Sequence, residues 1–264
     1  MIIEGDFHRD GAVCVRQAFS PSEMALAATA VEANLNDMSP LAKRASATDD
    51  GAFWEDFCSW QRLPEMERFI RESHAASLAG HLIGTSKTVR LYHDHLLVKE
   101  AGTRQRTPWH QDLPYYNVAG TQNISMWLPV DSVPLESSLE IVAGSHSGPW
   151  YMPRTFLDGQ AVWFPEGTLQ ELPDIASNPE MFNILQWALE PGDAVFFHML
   201  ALHGAPGFRG PGRRRVLSVR FLGDDMVHAP RAWRTSPPFP GLTDELEPGA
   251  PLDHPLFPIL WEAS

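Results

Sequence analysis

Cysteine is scarce in this sequence: Cys14 and Cys58 are the whole supply in 264 residues. Two cysteines give neither a disulfide framework nor a multi-cysteine metal site, so a reducing cytoplasm is the expected compartment. Basic charge is also short. Lys and Arg number 20 against 33 Asp and Glu, a net charge of −13. A nucleic-acid binder needs a basic face, so no nucleic-acid partner is expected. No stretch approaches the roughly 18 apolar residues of a membrane span. The opening MIIEGD lacks the basic and apolar regions of a leader. Neither a signal peptide nor a membrane partner is expected. What is present is an ordinary hydrophobic fraction of 44%, enough for a folded core, and 11 histidines to be sorted into ligands and bystanders.

The length fits one or two domains, and β-rich folds reach this size as one. Residues 7–19 suggest a strand behind a turn. Ser20-Pro21-Ser22-Glu23 fits a capping box, with Phe19 and Met24 placed as a hydrophobic staple. Met24, Ala28, Val31 and Leu35 then follow at helical spacing. A second helical pattern runs over 64–81, with Met66, Phe69 and Ile70 as its apolar stripe. After residue 86 the texture changes. Segments 88–99, 124–130, 139–142, 194–197 and 216–222 are short strand candidates punctuated by Gly, Pro and Asp. Many short strands behind N-terminal helices predict a mainly β sandwich or jelly roll braced by α-helices. Residues 148–190 carry few signals and are expected to be an insertion. Residues 229–264 are Pro-rich and are expected to form an ordered but irregular tail.

The sharpest local signal is Trp109-His110-Gln111-Asp112. On a strand, His110 and Asp112 point to one side and can offer an imidazole and a carboxylate to one ion. A second imidazole would complete the 2-His-1-carboxylate triad of non-haem iron oxygenases. The motif alone is weak, because H-x-D is common by chance. Downstream, the turn Pro191-Gly192-Asp193 feeds an apolar strand ending in His203-Gly204, suited to a ligand at a barrel mouth. Arg214, Val216 and Ser218 share one face of the next strand. A buried guanidinium with a nearby hydroxyl can clamp a carboxylate.

Several blocks in this order resemble the phytanoyl-CoA dioxygenase family of Fe(II)- and 2-oxoglutarate-dependent oxygenases. They are FHRDGAVCV with FSPSEM, YHDHLLVKEAG, TPWHQDLPYY, ISMWLPVD, SSLEIVAGSH, PGDAVFFHMLALHGA and RRRVLSVRF. The resemblance covers roughly residues 7–225 and implies a double-stranded β-helix, the cupin-like form of the jelly roll. It implies that His110, Asp112 and His203 bind Fe(II), and that Arg214 pairs with the distal carboxylate of 2-oxoglutarate. It places Trp127 and His95 beside the cofactor, although His95 departs from the family's residue type. Asp112 occupies a position that is a small residue in halogenating relatives, so hydroxylation, or another oxygen-derived oxidation, is expected over halogenation.

Other residues are set against blander roles. His93 and His95 share a strand face, and a structural or cofactor-lining role outweighs a second metal site. His146 reads as a loop histidine. His198 should face away from His203, five residues on. Gln111 is expected to be structural and Lys99 to be a solvated strand end. Arg213 and Arg215 should turn toward solvent or acidic neighbours. Tyr115 and Tyr116 are candidate substrate-pocket residues, because an oxidising site must exclude water.

The sequence therefore reads as a single Fe(II)- and 2-oxoglutarate-dependent dioxygenase domain over 1–264, with dioxygen as the other cosubstrate. The expected reaction hydroxylates an unactivated C–H bond of a small or natural-product-like molecule and releases succinate and CO2. No basic cluster is evident for CoA phosphates, and the acidic charge opposes a polyanion. One alternative is a cupin-type metalloenzyme that does not use 2-oxoglutarate, which Arg214 argues against. Another is a non-catalytic ligand-binding barrel, which the intact His110, Asp112 and His203 argue against.

Overall fold

The computed structural model describes residues 1–85, 87–153 and 169–263. The centre of the expected 148–190 insertion lies outside the described residues. The chain opens with β1 (Ile2–Asp6), a single helical turn α1 (Phe7–Asp10) and β2 (Ala12–Arg16). The helical turn leading into β2 matches the strand behind a turn expected over 7–19. The Asp6 carboxylate accepts from the backbone N–H groups of His8 and Arg9 and so caps α1, and Gly11 at φ 77° turns the chain into β2.

Helix α2 (Pro21–Asn36) starts with the expected capping box. Its buried face is Ala27, Ala30, Val31 and Asn34, a slight rotation from the predicted stripe. Next come β3 (Lys43–Arg44), β4 (Phe53–Phe57), α3 (Pro64–Glu72) and α4 (Ala75–Ile83). The one helix expected over 64–81 is thus two. Ser73 is extended (φ −80°, ψ 160°), and the Glu23 side chain accepts from the backbone N–H of His74 at the break. Met66, Phe69 and Ile70 are buried as predicted.

The remaining elements are β5 (Thr88–Glu100), β6 (Thr107–His110), β7 (Val118–Ala119), β8 (Asn123–Pro129), β9 (Glu140–Val142), β10 (Ile184–Gln186), β11 (Ala194–Phe197), β12 (His203–Ala205), β13 (Arg213–Leu222), β14 (Val227–His228), α5 (Leu242–Glu245) and β15 (Ile259–Glu262). The tail is therefore less irregular than expected, because β15 adds to β5.

Among the described residues, the major antiparallel sheet runs β1-β2-β11-β8-β13-β5-β4-β3, with β15 also on β5. A minor sheet runs β10-β9-β12-β6. Together they make the expected mainly β jelly roll. Side chains alternate across β13. Leu217, Val219 and Phe221 pack outward with Val31, Met66 and Phe69 of the helices. Arg214, Ser218 and Arg220 point inward, to the cavity between the sheets. Helices thus cover one face of the major sheet and leave polar side chains on the other for chemistry. Among the described residues no helix is long and apolar enough to cross a membrane.

Candidate metal centre and its cavity

Strands β6 and β12 pair so that His110 and His203 lie directly opposite each other, with ring centroids 4.1 Å apart. Each imidazole is fixed from behind. Nδ1 of His110 donates to Pro108 O at 2.8 Å, and Nδ1 of His203 donates to Ala201 O at 2.9 Å. A carbonyl only accepts, so each Nδ1 carries the proton and the lone pair sits on Nε2. Burial and the neighbouring His110 push His203 down to about 3, which keeps it neutral and able to ligate.

Asp112 arrives differently from the expectation. Strand β6 ends at His110, and Asp112 has helical backbone angles (φ −75°, ψ −46°). The chain turns because Met199 O accepts from both the Asp112 and Leu113 N–H groups. The turn brings Oδ1 to 3.7 Å from His110 Nε2 and 3.8 Å from His203 Nε2. Oδ2 accepts from Ser125 Oγ at 2.8 Å and from Arg220 Nη2 at 3.2 Å. Burial would raise Asp112, but Arg220 and the two histidines outweigh it and hold the carboxyl well below its usual range. One ligand atom from each of the three buried residues lies within 4.8 Å of the others. Two imidazoles that present Nε2 and one carboxylate oxygen, each oriented by a hydrogen bond behind it, fit an Fe(II) ion.

Arg214 is 2% exposed. Its Nη1 donates to Ser137 O, its Nε has no partner, and its guanidinium stacks over Trp127 at 5.6 Å. Burial lowers it to about 10. A buried cation that faces no carboxylate among the described residues, with an orphaned N–H, fits a carboxylate ligand. Ser218 lines the same cavity, but its hydroxyl donates to Met126 O at 2.7 Å.

The cavity measures about 360 Å³. It brings together His110, Asp112, His203, Arg214, Ser218, Trp127, His95, Tyr115 and Tyr116. His95 stacks on Phe57 at 4.0 Å and donates from Nε2 to Glu55 Oε1 at 3.2 Å. Burial pushes His95 down to about 4, so it is neutral near pH 7. Burial would raise Glu55, yet His95 and Lys43 hold it low and ionised. The Tyr116 hydroxyl accepts from Arg220 Nε at 3.1 Å, and Tyr115 sits edge-on to His110.

Sequence reading missed Arg220, Ser125 and Glu55. Arg220 was signalled: it continues the alternation of Arg214, Val216 and Ser218 by one step. Lys99 is a correction. It is fully buried, not solvated, and donates to Ala205 O and Pro206 O while its ammonium lies over Phe53. Gln111 ties Pro149, Leu200 and Tyr151 backbone together. His93, His146 and His198 contact backbone carbonyls away from the three ligand atoms. Arg213 and Arg215 pair with Glu100 and with Asp131 and Glu32.

A family profile described as "Phytanoyl-CoA dioxygenase (PhyH)" matches residues 7–216. A "Probable phytanoyl-CoA dioxygenase" of Caenorhabditis elegans is 24% identical over 169 residues, 62% of this chain and 52% of that protein. The chain spans about half the length of the curated relatives it matches. Among solved structures, the epimerase SnoN in complex with Fe3+, alpha ketoglutarate and nogalamycin RO is 21% identical. Its TM-score is 0.76, over 97% of this chain and 96% of that one. The alpha ketoglutarate dependent carbocyclase SnoK is 22% identical with a TM-score of 0.74, over 97% and 94%. At these identities the two structures share the fold.

Proposed function

The chain belongs to the phytanoyl-CoA dioxygenase family, and from that membership we propose that it is a non-haem Fe(II)- and 2-oxoglutarate-dependent dioxygenase. The carrying observation is one buried cavity with His110, Asp112 and His203 at one place and the orphaned Arg214 at another. His110, Asp112 and His203 hold the iron. Arg214 holds the distal carboxylate of 2-oxoglutarate, Trp127 stacks beside it, and Ser218 and His95 flank it. Bound there, iron with 2-oxoglutarate and dioxygen supplies an oxidant able to hydroxylate a C–H bond, leaving succinate and CO2. Tyr115 and Tyr116, with Leu97, Leu139 and Phe197, keep the cavity largely apolar and exclude water.

The cavity volume is at the small end for ligand sites and favours a small or natural-product-like substrate. SnoK, from nogalamycin biosynthesis, and SnoN, in complex with nogalamycin RO, point the same way. We assign one catalytic domain over 1–264, with 148–190 as an insertion and 229–264 as a tail against the cavity wall. Free thiols at Cys14 and Cys58 support a reducing, cytoplasmic setting.

The test is succinate formation from 2-oxoglutarate in oxygenated buffer with Fe(II), across a substrate panel. Iron-dependent succinate is expected, and its absence across the panel overturns the proposal. Arg214→Gln should raise the KM for 2-oxoglutarate about 10- to 100-fold, the worth of a charge-assisted hydrogen bond. An unchanged KM points to a metalloenzyme that does not use 2-oxoglutarate.

A further inference from the structure

The segment that ends in His203 holds a second buried histidine, His198, and both of its ring nitrogens are committed. Nε2 lies 3.1 Å from Thr121 O, and a carbonyl only accepts, so Nε2 carries the proton. Nδ1 accepts from the Leu200 N–H at 3.0 Å. This is the opposite tautomer from His110 and His203, whose protons sit on Nδ1. His198 therefore has no lone pair left for a metal. Burial and the neighbouring His146 push it down to about 4, so the ring is neutral near pH 7 and Nδ1 goes on accepting.

What His198 fixes follows from the planarity of one peptide. The Leu200 N–H and the Met199 C=O belong to the same peptide unit, and a trans bond holds them in one plane, pointing in opposite directions. His198 Nδ1 grips the N–H end. The C=O end accepts from Asp112 N at 2.8 Å and from Leu113 N at 3.0 Å. A rotation that frees the Leu200 N–H thus swings Met199 O away from both. The neighbouring units are anchored separately. Met199 N donates to Asn123 Oδ1 at 2.9 Å, and Leu200 O accepts from Gln111 Nε2 at 2.9 Å.

On the reading that His110, Asp112 and His203 hold iron, we propose that His198 is a positioning residue for that centre: its Nδ1 holds the Met199–Leu200 peptide in the plane that aims Met199 O at the Asp112 turn. The effect passes from the imidazole to the peptide, from the peptide to the Asp112 N–H, and from that backbone to the carboxylate whose Oδ1 faces the two histidines. A peptide whose N–H is engaged is also polarised, which strengthens its carbonyl as an acceptor. His198 touches neither the ligand atoms nor the space between them, so it acts on the geometry alone.

Two substitutions separate the nitrogens. His198→Asn puts an amide oxygen near the place of Nδ1 and keeps an acceptor for the Leu200 N–H. His198→Gln reaches the place of Nε2 and keeps only the donor to Thr121 O. Gln is closer to His in volume, so a packing role ranks His198→Gln nearer to wild type, whereas positioning through Nδ1 ranks His198→Asn nearer. Amide hydrogen exchange, read by NMR on the metal-free full chain, should quicken at Asp112 and Leu113 at least about tenfold in His198→Gln and stay within about threefold of wild type in His198→Asn. Anaerobic Fe(II) titration should follow the same order, with binding weakened about 10- to 100-fold in His198→Gln alone. If His198→Gln loses its fold by circular dichroism, the wild type decides: Leu200, Asp112 and Leu113 should exchange through one opening, with protection within about tenfold of one another. Unchanged exchange at Asp112 and Leu113 in His198→Gln overturns the proposal. So does either readout placing His198→Gln nearer to wild type than His198→Asn, or a Leu200 amide that opens independently of the other two. A wild type that shows the exchange order and takes up no Fe(II) overturns the iron reading instead.

Discussion

The two oxygens of Asp112 have separate duties. Oδ2 is held by Ser125 and Arg220, which leaves Oδ1 facing the two histidines. A carboxylate free to rotate would lose that division. Ser125→Ala and Arg220→Gln should therefore each weaken Fe(II) binding about 10- to 100-fold, although neither residue is a ligand in our assignment. Anaerobic Fe(II) titration against the wild type reads this directly. Arg220 also shows how far single residues are legible. Its charge and its place in the alternation were visible in the sequence. Its partner was not, because Asp112 reaches it only through a turn that Met199 O imposes from a distant segment. Lys99 misled for a related reason. A lysine at a strand end is ordinarily solvated, and only the tertiary fold brings the carbonyls of Ala205 and Pro206 over it.

Among the elements, β12 has little room to spare. A Cβ on Gly204 would lie 3.0 Å from Thr107 O on β6 and 3.4 Å from Trp109. Gly204→Ala must push the two strands apart by a few tenths of an ångström, and His203 moves with them. The expected outcome is weaker Fe(II) binding in the same titration, with the helices untouched by circular dichroism. The start of α2 was readable from Ser20-Pro21-Ser22-Glu23 because capping is local chemistry. The break between α3 and α4 was not, because Glu23 makes it from 51 residues away. Ser20→Ala should cost about 1 kcal/mol in thermal unfolding. Burial would raise Glu23, but donors from Ser20 and His74 hold it at about 2 against an ordinary 4.5. A lowered carboxyl contributes stability above its unfolded value and loses it as pH falls through its folded value. The stability gap between wild type and Glu23→Gln should thus be full above about pH 5 and close toward pH 2, as measured by urea unfolding across that range.

The whole molecule repels the dianion it is proposed to consume. With a net charge of −13, approach of 2-oxoglutarate is opposed at long range, while Arg214 attracts it only once it is inside. Salt screens the long-range part over about 8 Å at physiological ionic strength. The KM for 2-oxoglutarate should therefore fall as inert salt rises from low levels, and steady-state kinetics in a chloride series checks the sign. The mainly β architecture was legible in the spacing of short apolar segments, but the pairing that builds the centre was not. His110 and His203 meet because β6 and β12 are neighbours in the minor sheet, although the chain between them crosses into the major sheet and back. That pairing is a contact of very long sequence separation, the kind that pays its loop entropy before any reward and forms late in folding. A nascent chain that ends short of β12 carries the whole His-Gln-Asp motif and still has nowhere to seat an ion. Metal bound by these three residues would recognise only the finished native state, so folding stability would rise with the logarithm of free iron and fall when a chelator is added.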